Sequence, residues 1–515
     1  MSYLMGIDIG TSGTRALFID EAGKLVASAT AEHPLSLPAP GWAEQNPADW
    51  VATTHATIRR VLAEAGLKGS DVRGIGLSGQ MHGSVFLDAK DQVIRPAILW
   101  CDQRTSKQCD WITSKVGRDT LKAEICNPVL TGFTAPKIVW LRDHEPANFE
   151  RLRKVLLPKD YIRFVMTGEY VTEVSDASGT ALLNVPERRW SDVVIGRIGL
   201  SNDMLPTVME SPEITGRISA AFAEATGLAE GTPVVGGGGD QAAGAVGNGI
   251  VEPGVVSSTV GTSGVVFAHL EEPATDPEMR THTFCHAVPG KWHVMGVMLA
   301  AGGSLQWYRN RLCSDEMSVA SLLGADPYML IVSEAAEAPV GSEGLIFLPY
   351  LSGERTPYPN PNARGVFCGL SLRHDKRHLA RAVMEGVCYG LRDSFEVIET
   401  MGVDITQVRA SGGGARSEYW VRMQADVTGR AHSYINVDEG PAFGVALLAG
   451  VGTGVWKTVP EACHATIQVK QTIEPDPDHV AFYNRGYLVY QSLYQKLEDT
   501  FDEVAELVEL APTGQ

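Results

Sequence analysis

A short segment near the start of the chain recurs almost unchanged in its second half. The sequence Gly-Thr-Ser-Gly occupies positions 10–13 after an apolar run, and it occupies positions 261–264 after another. A second apolar run follows each copy, which predicts two β-hairpins with glycines at both corners of the turn. Glycine permits a backbone with φ > 0, and small hydroxyl residues leave amide N–H groups free to point at an anion. Two such hairpins in one chain predict the two halves of a clamp around a polyphosphate.

The two copies differ in one residue that bears on chemistry. Asp8 precedes the first turn, whereas Thr259 stands at the matching position before the second, so only the first hairpin brings a carboxylate. An Asp near a glycine commonly caps its own turn, which is the structural alternative. A carboxylate beside a phosphate-binding turn is also a suitable ligand for Mg²⁺, directly or through water. The duplication of the hairpin favours this second interpretation of Asp8.

Length and charge limit the fold and the partners. A chain of 515 residues exceeds one ordinary hydrophobic core, so we expect two domains. The net charge of −18 disfavours nucleic acid and anionic membranes as partners. We expect neither a membrane-spanning helix, which needs roughly 20 apolar residues, nor a secretory leader. Eight scattered cysteines without a C-x-x-C pair are typical of free thiols in a reducing compartment, which predicts a cytoplasmic protein.

Turn residues and hydrophobic periodicity outline the elements along the chain. The predicted elements are three strands within residues 1–35, a helix from Pro47 to Ala65 capped by Asn46, mostly helices in residues 101–230, and a last amphipathic helix from about Pro477 to Leu510. Pro253-Gly254 introduces the second hairpin, so a domain boundary is expected near residue 250. The predicted division is an N-terminal domain of residues 1–249, a C-terminal domain of residues 250–455 and a helical extension of residues 456–515.

Asp240 is the most specific candidate for chemistry. It follows four consecutive glycines at 236–239 and opens a predicted helix of small residues. Consecutive glycines lose much conformational entropy on folding, and they mark a place where the backbone must approach something closely. An ordinary N-cap is the structural alternative, because Asp is favoured there. A carboxylate at such a turn also suits a general base for phosphoryl transfer, and a helix N-terminus is expected to lower its pKa and keep it ionised.

Three further segments carry weaker signals. The glycines at 412–414 lie between a predicted strand and a predicted helix, which suits a nucleotide-facing loop or merely a tight turn. Met81 and His82 follow an apolar strand, and they are as compatible with a substrate loop as with an ordinary strand end. Asp102 and Arg104 follow another strand, where they could bind hydroxyl groups or form a structural ion pair.

Several familiar site motifs are missing from the sequence. It contains no P-loop, no dinucleotide-binding glycine fingerprint and no His/Cys cluster with zinc spacing. A stripe of small residues at Ala442, Ala446 and Gly450 has helical spacing, for which close helix packing without chemistry is the simpler interpretation. Together with the small helix after Asp240, the stripe predicts two crossing helices at an interdomain hinge, about which a cleft could close on its substrates.

Four further segments stand out in the sequence, which are GFTAPKIVWL at 132–141, LPKDY at 157–161, LPYLSGERTP at 348–357 and the stretch spanning 365–385. In these segments the chain resembles the FGGY carbohydrate kinases. The resemblance covers about residues 4–455 and is greatest with the xylulokinase branch. The resemblance implies an α/β, two-domain duplicated fold of the actin/hexokinase/Hsp70 type (ribonuclease H-like), with the active site in the interdomain cleft. It also implies MgATP-dependent phosphorylation of a sugar hydroxyl.

The resemblance implies roles for individual residues as well. Asp240 would be the catalytic base, and Asp8 the catalytic residue near Mg²⁺ and the phosphates. The residues expected at ATP are Thr11, Ser12, Gly13, Gly261, Thr262, Ser263, Gly413, Gly414 and Ser417. The residues expected at the sugar are Met81, His82, Arg104, Asp240 and Gln241.

One residue departs from the family pattern. Xylulokinases usually have Gly-Gly-Gly-Asp-Asn where this chain has Gly239-Asp240-Gln241, a step found in the glycerol kinases of the same family. An extra methylene beside the base shifts hydrogen bonds to the sugar, to which such sites are sensitive. The expected substrate is D-xylulose, phosphorylated on its 5-hydroxyl, with another ketopentose, a polyol or a sugar acid as alternatives. A non-catalytic nucleotide-binding protein of the same fold is the alternative from another class, and a homodimer is as compatible with the composition as a monomer.

Overall fold

The computed structural model describes residues 2–510 of the chain. The strands are β1 (Tyr3–Ile9), β2 (Gly13–Ile19), β3 (Leu25–Glu32), β4 (Glu44–Gln45), β5 (Val72–Gly79), β6 (Val85–Leu87), β7 (Ala97–Ile98), β8 (Lys154–Leu156), β9 (Val171–Glu173), β10 (Leu183–Asn184), β11 (Arg189–Trp190), β12 (Thr207–Met209), β13 (Ile214–Arg217), β14 (Pro233–Val235), β15 (Gly238–Gly239), β16 (Val255–Val260), β17 (Gly264–Leu270), β18 (His282–Cys285), β19 (Trp292–Met298), β20 (Ile346–Leu348), β21 (Val366–Cys368), β22 (Gln407–Ser411), β23 (His432–Ile435) and β24 (Val469–Ile473).

The α-helices are α1 (Pro47–Ala65), α2 (Ser106–Val116), α3 (Arg118–Glu124), α4 (Thr134–His144), α5 (Pro146–Arg151), α6 (Pro158–Thr167), α7 (Val174–Ser178), α8 (Asp192–Arg197), α9 (Ala220–Thr226), α10 (Asp240–Gly247), α11 (Gly302–Leu312), α12 (Ser314–Leu323), α13 (Pro327–Glu337), α14 (Lys376–Thr400), α15 (Glu418–Thr428), α16 (Gly440–Gly452), α17 (Val459–Thr466) and α18 (Pro477–Leu510). Short 3₁₀ turns occupy Asn202–Met204, Ser342–Gly344 and Gly413–Arg416.

The elements with strong local signals lie where the sequence predicts them. The first three strands form a meander, and α1 begins at Pro47, where the Asn46 side chain accepts a hydrogen bond from the Ala48 amide at 3.1 Å. Gly66 ends this helix in the left-handed region, with a φ of 65°. The last helix spans the predicted residues. These boundaries were predictable because capping residues act on the backbone within one turn.

Two large sheets repeat the same core arrangement of strands. In the first, β1 pairs antiparallel with β2 and parallel with β5, while β2 continues antiparallel to β3. In the second, β16 pairs antiparallel with β17 and parallel with β22, while β17 continues antiparallel to β19. The repeated Gly-Thr-Ser-Gly turn therefore connects the equivalent hairpin in each sheet. This correspondence confirms that the fold is duplicated.

The second glycine of each hairpin turn is required for space and not for an unusual φ. None of Gly10, Gly13, Gly261 and Gly264 adopts a positive φ, so the freedom that glycine permits is not used at these corners. A Cβ on Gly13 would lie 2.7 Å from the Ala31 carbonyl oxygen, and one on Gly264 would lie 2.6 Å from Met298 Cγ. The glycines therefore allow a neighbouring strand to approach the turn closely.

Helix α16 from the second half of the chain packs against the first sheet. A Cβ on Gly6 would lie 1.8 Å from the Ala442 carbonyl oxygen, and one on Gly76 would lie 2.0 Å from the Val445 carbonyl oxygen. The same helix crosses α10 closely, since a Cβ on Gly444 would lie 1.9 Å from the Ala243 carbonyl oxygen. The small-residue stripe therefore serves close packing, and the predicted pair of crossing helices is present.

Two further findings concern the chain as a whole. Within residues 2–510, no helix combines the length and apolar character needed to cross a membrane. All eight cysteines are free thiols, and six of them are buried.

Candidate active site

A cavity of about 460 Å³ lies between elements from both halves of the chain. Asp240 and Gln241 at the start of α10 line it, together with Arg15 of β2 and Thr259 of β16. The second half also contributes the turn after β22 and the start of α16, through Ser411, Gly412, Ala415, Arg416, Glu439, Gly440 and Pro441. Ligand sites commonly have volumes of roughly 300–1,000 Å³. The cavity therefore joins the predicted base to the predicted nucleotide loop.

The four glycines before Asp240 let its backbone pass between other elements. Gly237 adopts a φ of 71°, and a Cβ there would lie 1.8 Å from the Leu77 carbonyl oxygen. A Cβ on Gly239 would lie 2.9 Å from Met81 Cγ, and the Gly239 amide donates to Ser175 Oγ at 3.1 Å. The close approach predicted from the glycines is therefore present, and it fixes the residue that precedes Asp240.

Asp240 is the first residue of α10, and Gly239 occupies the N-cap position. Burial and, after it, the nearby charge of Asp8 together raise the pKa of the Asp240 carboxyl group to about 7, against the opposing hydrogen bonds from Gln241. The expectation that the helix N-terminus would lower this pKa was therefore wrong. Loss of hydration and a like charge outweigh the helix dipole at this half-buried carboxyl group on the cavity wall.

Asp8 lies on β1 between Arg15 of β2 and Ser78 of β5. Its Oδ1 atom and the neighbouring Ser78 hydroxyl are buried, and neither makes a hydrogen bond of good geometry in the described part of the chain. Burial raises the pKa of the Asp8 carboxyl group to about 6, although Ser78 and the charge of Arg15 oppose the shift. Within residues 2–510 the turn after β1 is closed by the Gly10 amide, which donates to the Gly13 carbonyl oxygen at 3.0 Å, and not by Asp8. The arrangement therefore favours an external ligand for this carboxylate over a turn-capping role.

The Asp8 and Asp240 carboxylates together suit a divalent cation. Two neighbouring carboxylates whose pKa values are both raised repel each other when ionised, and a cation between them would remove that repulsion. In the described part of the chain, no group of three or more His, Cys, Asp or Glu side chains could hold a metal ion by itself. Mg²⁺ commonly takes one or two protein carboxylates and completes its shell with water and phosphate oxygens, so the residues present fit that ion.

The two hairpin turns leave backbone amides available. Across residues 2–510, no hydrogen bond occupies the amides of Thr11, Ser12, Thr262 or Ser263. Trp100 Nε1 donates to Thr11 Oγ1 at 2.9 Å, which holds the first turn from outside. The second turn is held by the start of α11, whose first amide donates to the Gly261 carbonyl oxygen at 2.9 Å. Free amides on a fixed turn form a concavity suited to an anion.

The predicted nucleotide loop borders the cavity, but its cavity-facing residues differ from those expected. Gly414 is buried, and a Cβ there would lie 2.6 Å from Val260 Cβ. The Ser417 side chain caps α15 by accepting a hydrogen bond from the Trp420 amide at 3.3 Å. The residues of this turn that line the cavity are Gly412, Ala415 and Arg416, next to the predicted Gly413, Gly414 and Ser417.

His82 is held in a constrained conformation beside Met81. Its φ is 69°, which a non-glycine residue rarely adopts, and its ring stacks on Phe133 with the centroids 4.7 Å apart. His82 Nδ1 lies 2.6 Å from the Gly179 carbonyl oxygen. Burial lowers the pKa of the imidazole to about 3, so the ring is neutral, Nδ1 is the donor and Nε2 is left as an acceptor.

Lys137 supports His82 from behind, and sequence reasoning did not single it out. Lys137 Nζ is buried and donates to the carbonyl oxygens of His82 at 2.9 Å and Gly132 at 2.6 Å. Thr134 Oγ1 donates to the same His82 carbonyl at 3.0 Å. Burial lowers the pKa of the Lys137 ammonium group to about 7. Its place in the family signature at 132–141 was the signal that could have identified it.

Arg104 forms an ion pair with Asp102, which was the structural alternative that the sequence left open. Its guanidinium group donates to both Asp102 carboxylate oxygens, the closest pair at 2.7 Å, and lies 3.6 Å from the ring centroid of Trp42. Only 1% of the side chain is exposed. An ion pair buried under an aromatic ring leaves little surface for a sugar, so the arrangement favours a structural role over the predicted contact with substrate.

Comparisons with known proteins agree with this geometry. The model for the N-terminal domain of the FGGY family of carbohydrate kinases matches residues 3–247, and the model for its C-terminal domain matches residues 256–453. The chain is 42% identical to a xylulose kinase of Escherichia coli (strain K12), over 96% of this chain and 99% of that protein. It is 38% identical to a xylulose kinase of Bacillus subtilis (strain 168), over 97% of this chain and 98% of that protein.

The likeness extends to three-dimensional structure. The crystal structure of xylulose kinase from Rhodospirillum rubrum superposes with a TM-score of 0.89 at 31% identity, and the match covers 97% of this chain and 100% of that one. The predicted two-domain α/β kinase fold is therefore confirmed. Both family models match, in order, the two halves that share the duplicated hairpin, and the chain belongs to the FGGY family of carbohydrate kinases.

Proposed function

We propose that this carbohydrate kinase transfers the γ-phosphate of ATP to the 5-hydroxyl of D-xylulose. The proposal of D-xylulose as the substrate is supported by similarity over nearly the whole chain to proteins named xylulose kinases, at 42% and 38% identity. Gln241 lines the cavity beside Asp240 and departs from the usual asparagine, so it is the residue that favours a second candidate. That candidate is a kinase for another ketopentose, a polyol or a sugar acid.

Asp240 is the general base in this proposal. A carboxyl group with a pKa of about 7 is substantially ionised at neutral pH and basic enough to accept a proton from a sugar hydroxyl. The proton passes to Asp240 as the hydroxyl oxygen attacks the γ-phosphorus, and ADP leaves opposite the attacking oxygen. The free amides of the two hairpin turns stabilise the negative charge on the transferred group.

Asp8 holds Mg²⁺ in this proposal, directly or through water. The support is its buried Oδ1 atom without a partner and its position close enough to Asp240 to raise the pKa of that residue. When bound, the ion neutralises charge that develops on the phosphates. The further proposed contacts are the phosphates with Thr11, Ser12, Gly13, Gly261, Thr262 and Ser263, the adenosine with Gly413, Gly414 and Ser417, and the sugar with Met81 and His82.

We further propose a cytoplasmic location, while a homodimer and a monomer are equally compatible with the composition. Eight free thiols support a reducing compartment. Light scattering tests the assembly, because a dimer has twice the chain mass of 55.4 kDa. Fractionation of the source cells tests the location.

The substrate is tested by coupled ADP release with MgATP and a panel of acceptors. The panel contains D-xylulose, L-xylulose, D-ribulose, L-ribulose, glycerol, xylitol and gluconate. We expect the highest kcat/KM for D-xylulose. The variant Gln241→Asn should keep this preference if Gln241 is a tolerated substitution.

Other outcomes would separate the alternatives. A higher kcat/KM for another acceptor would retain the kinase and reject D-xylulose as its substrate. A change of preferred acceptor in Gln241→Asn would then locate the specificity at that side chain. No acceptor-dependent ADP release would favour a non-catalytic member of the same fold.

A further inference from the structure

Arg355 lies between two residues that fasten their segment to the end of β19. Glu354 Oε1 accepts a hydrogen bond from the Leu299 amide at 2.9 Å. Thr356 Oγ1 accepts one from the Val297 amide at 3.1 Å and donates to the Arg280 carbonyl oxygen at 2.7 Å. Glu354 and Thr356 are buried, whereas Arg355 is only partly buried. The backbone of Arg355 is thus fixed while its side chain stays partly exposed.

The guanidinium group of Arg355 has no partner in the described part of the chain. Its backbone amide donates to Glu354 Oε1 at 2.7 Å, but no hydrogen bond or ion pair within residues 2–510 engages its side chain. Burial lowers the pKa of the guanidinium group, and the nearby Glu354 opposes the shift only in part. None of its nitrogen atoms is among the buried unpartnered atoms of residues 2–510, so the guanidinium is open to solvent and to a ligand.

Arg355 comes from the second half of the chain and lies close to His82 of the first half. After burial, its positive charge is among the causes that lower the pKa values of both His82 and His282. His282 stacks on Phe284, and His82 lies against Phe133, whose ring centroid is 6.1 Å from those of His282 and Phe284. The backbone geometry agrees, because Thr356, the next residue, bonds the Arg280 carbonyl oxygen two residues before His282. Arg355 therefore lies near the aromatic cluster that carries the proposed sugar loop.

The order of residues along the cleft indicates which end of a sugar would reach this position. Met81 lies against Gly239, directly before Asp240, and His82 follows Met81. A sugar whose reacting hydroxyl lies at Asp240 would extend along Met81 and His82, with its other end toward Arg355. In an open-chain ketose that other end carries the carbonyl oxygen and an adjacent hydroxyl.

We propose that Arg355 binds the carbonyl and adjacent hydroxyl oxygens of the ketose, at the end opposite the hydroxyl that is phosphorylated. A planar guanidinium presents paired N–H donors that match two neighbouring oxygen acceptors. This inference rests on the proposed function, since it assumes that a ketose occupies the cleft. Residues from both halves of the chain would then bind the sugar.

The variants Arg355→Met and Arg355→Lys test the proposal, with Arg364→Met as the matched control. Arg364 lies in the same segment and donates only to the carbonyl oxygens of Pro361 and Ala363. Hydrogen bonds to charged groups suggest that Arg355→Met lowers kcat/KM for D-xylulose about 10- to 100-fold, mainly through KM. Arg355→Lys should recover part of this loss, and the KM for ATP should stay unchanged in each variant.

A second acceptor makes the test specific. Xylitol lacks the carbonyl oxygen, so its turnover should fall less in Arg355→Met than that of D-xylulose. Equal kcat/KM for D-xylulose in wild type, Arg355→Met and Arg364→Met would overturn the proposal. So would an equal loss for both acceptors with a lowered melting temperature, because that is the result of a structural role. Absence of activity in the wild type would reject the proposed function instead.

Discussion

Asp240 combines two properties that an exposed carboxylate does not have. Its carboxyl group is half-buried on the cavity wall, and a second carboxylate, Asp8, is near enough to raise its pKa. Burial and the like charge both stabilise the protonated form, which would make the proposed base one of intermediate strength in the absence of cationic ligands. A buried carboxylate that is kept for chemistry reduces the stability of the folded state at neutral pH.

Replacement of Asp240 by Asn tests its role as the base. We expect kcat to fall about 10²- to 10⁴-fold, because general-base assistance is lost while the shape of the side chain is retained. ATP affinity, measured by calorimetry, should change little. Asp119→Asn is the matched control, since Asp119 also lies in the first turn of a helix but is exposed. Turnover in Asp240→Asn within a few-fold of wild type would reject the role.

The pH dependence of the reaction tests the coupling of the two carboxylates. Because Asp240 must be ionised to act, kcat/KM should fall as the pH decreases through about 7. In Asp8→Asn the neighbouring negative charge is absent, so the pKa of Asp240 should be lower. The decrease in kcat/KM at acidic pH should then occur at a lower pH than in the wild type. The measurement is the pH profile of the residual activity at low MgATP. A decrease in kcat/KM at the same pH as in the wild type, or at a higher pH, contradicts the coupling of the two carboxylates.

The identity of the site residues was more predictable than their properties. Asp8 and Asp240 stand beside glycine-rich turns whose sequence alone indicates a phosphate site. The direction of the Asp240 pKa shift depends on burial and on a residue 232 positions away in the chain. Arg104 and Asp102 were ambiguous for the same reason, since only the fold shows that they pair beneath Trp42.

At the scale of elements, the contact between α10 and α16 controls the position of Asp240. Gly444 faces the Ala243 carbonyl oxygen, and Gly247 approaches the Gly440 carbonyl oxygen, where a Cβ would lie at 2.3 Å. Because Asp240 begins α10, displacement of either helix displaces the base. Both helices are rich in small residues, which permits this short separation.

Gly444→Ala should disturb this contact, whereas Gly196→Ala in α8 should not. A Cβ at 444 would lie 1.9 Å from a backbone oxygen, so the helices must separate, at a cost of about 1–3 kcal/mol in folding free energy. Gly196 has open space around its Cβ position, and alanine there should stabilise the helix by up to about 1 kcal/mol. Chemical denaturation measures both changes. Equal stability of the two variants would contradict the packing argument.

Helix ends and hairpins were predicted well, but the sequence did not indicate which residues of a turn face the cavity or a neighbouring strand. The cap of α1 and the strands around both turns follow from local residues. The role of the turn glycines was mistaken, because their crowding comes from Ala31 and Met298, which are distant in sequence. The cavity-facing residues of the loop at 412–417 differ for a similar reason, since Val260 covers one side of that loop.

At the scale of the whole molecule, buried histidines tie stability to pH. Burial lowers the pKa of His293 to about 3, and its ring stacks on Phe267 with the centroids 4.2 Å apart. In the unfolded chain its pKa is near 6.5. Below pH 6.5 the unfolded chain therefore binds a proton at His293 that the folded state excludes. The free energy of unfolding has its full value, as far as His293 is concerned, above pH 6.5, and it decreases as the pH falls from 6.5 toward 3.

The variant His293→Phe removes this pH dependence and keeps a ring of similar shape. Neither ring nitrogen of His293 makes a hydrogen bond within residues 2–510, so phenylalanine leaves no polar partner behind. We expect the melting temperature of the variant, relative to wild type, to rise as the pH is lowered from 7 to 5. A difference between the two proteins that is constant with pH would show that His293 does not titrate on unfolding.

The division of the chain into residues 1–249, 250–455 and 456–515 stays a prediction. The sequence supports it through the repeated hairpin and the Pro253-Gly254 turn. The family models match residues 3–247 and 256–453, but a match along the sequence does not show which segments fold together. No pattern in the sequence indicated that a helix near residue 446 covers the first sheet, because that contact joins residues far apart in the chain.

The placement of α16 has a consequence for synthesis of the protein. The first sheet is translated early, yet the face that contains Gly6 and Gly76 is covered by residues 440–452. A nascent chain therefore carries an uncovered apolar sheet surface until the ribosome has added the 373 residues between the end of β5 at Gly79 and the end of α16 at Gly452. Such exposure during translation favours aggregation and engagement by chaperones. The first half of the chain, expressed alone, would lack α16, which covers its sheet. We therefore expect this polypeptide to depend on the second half of the chain to become soluble.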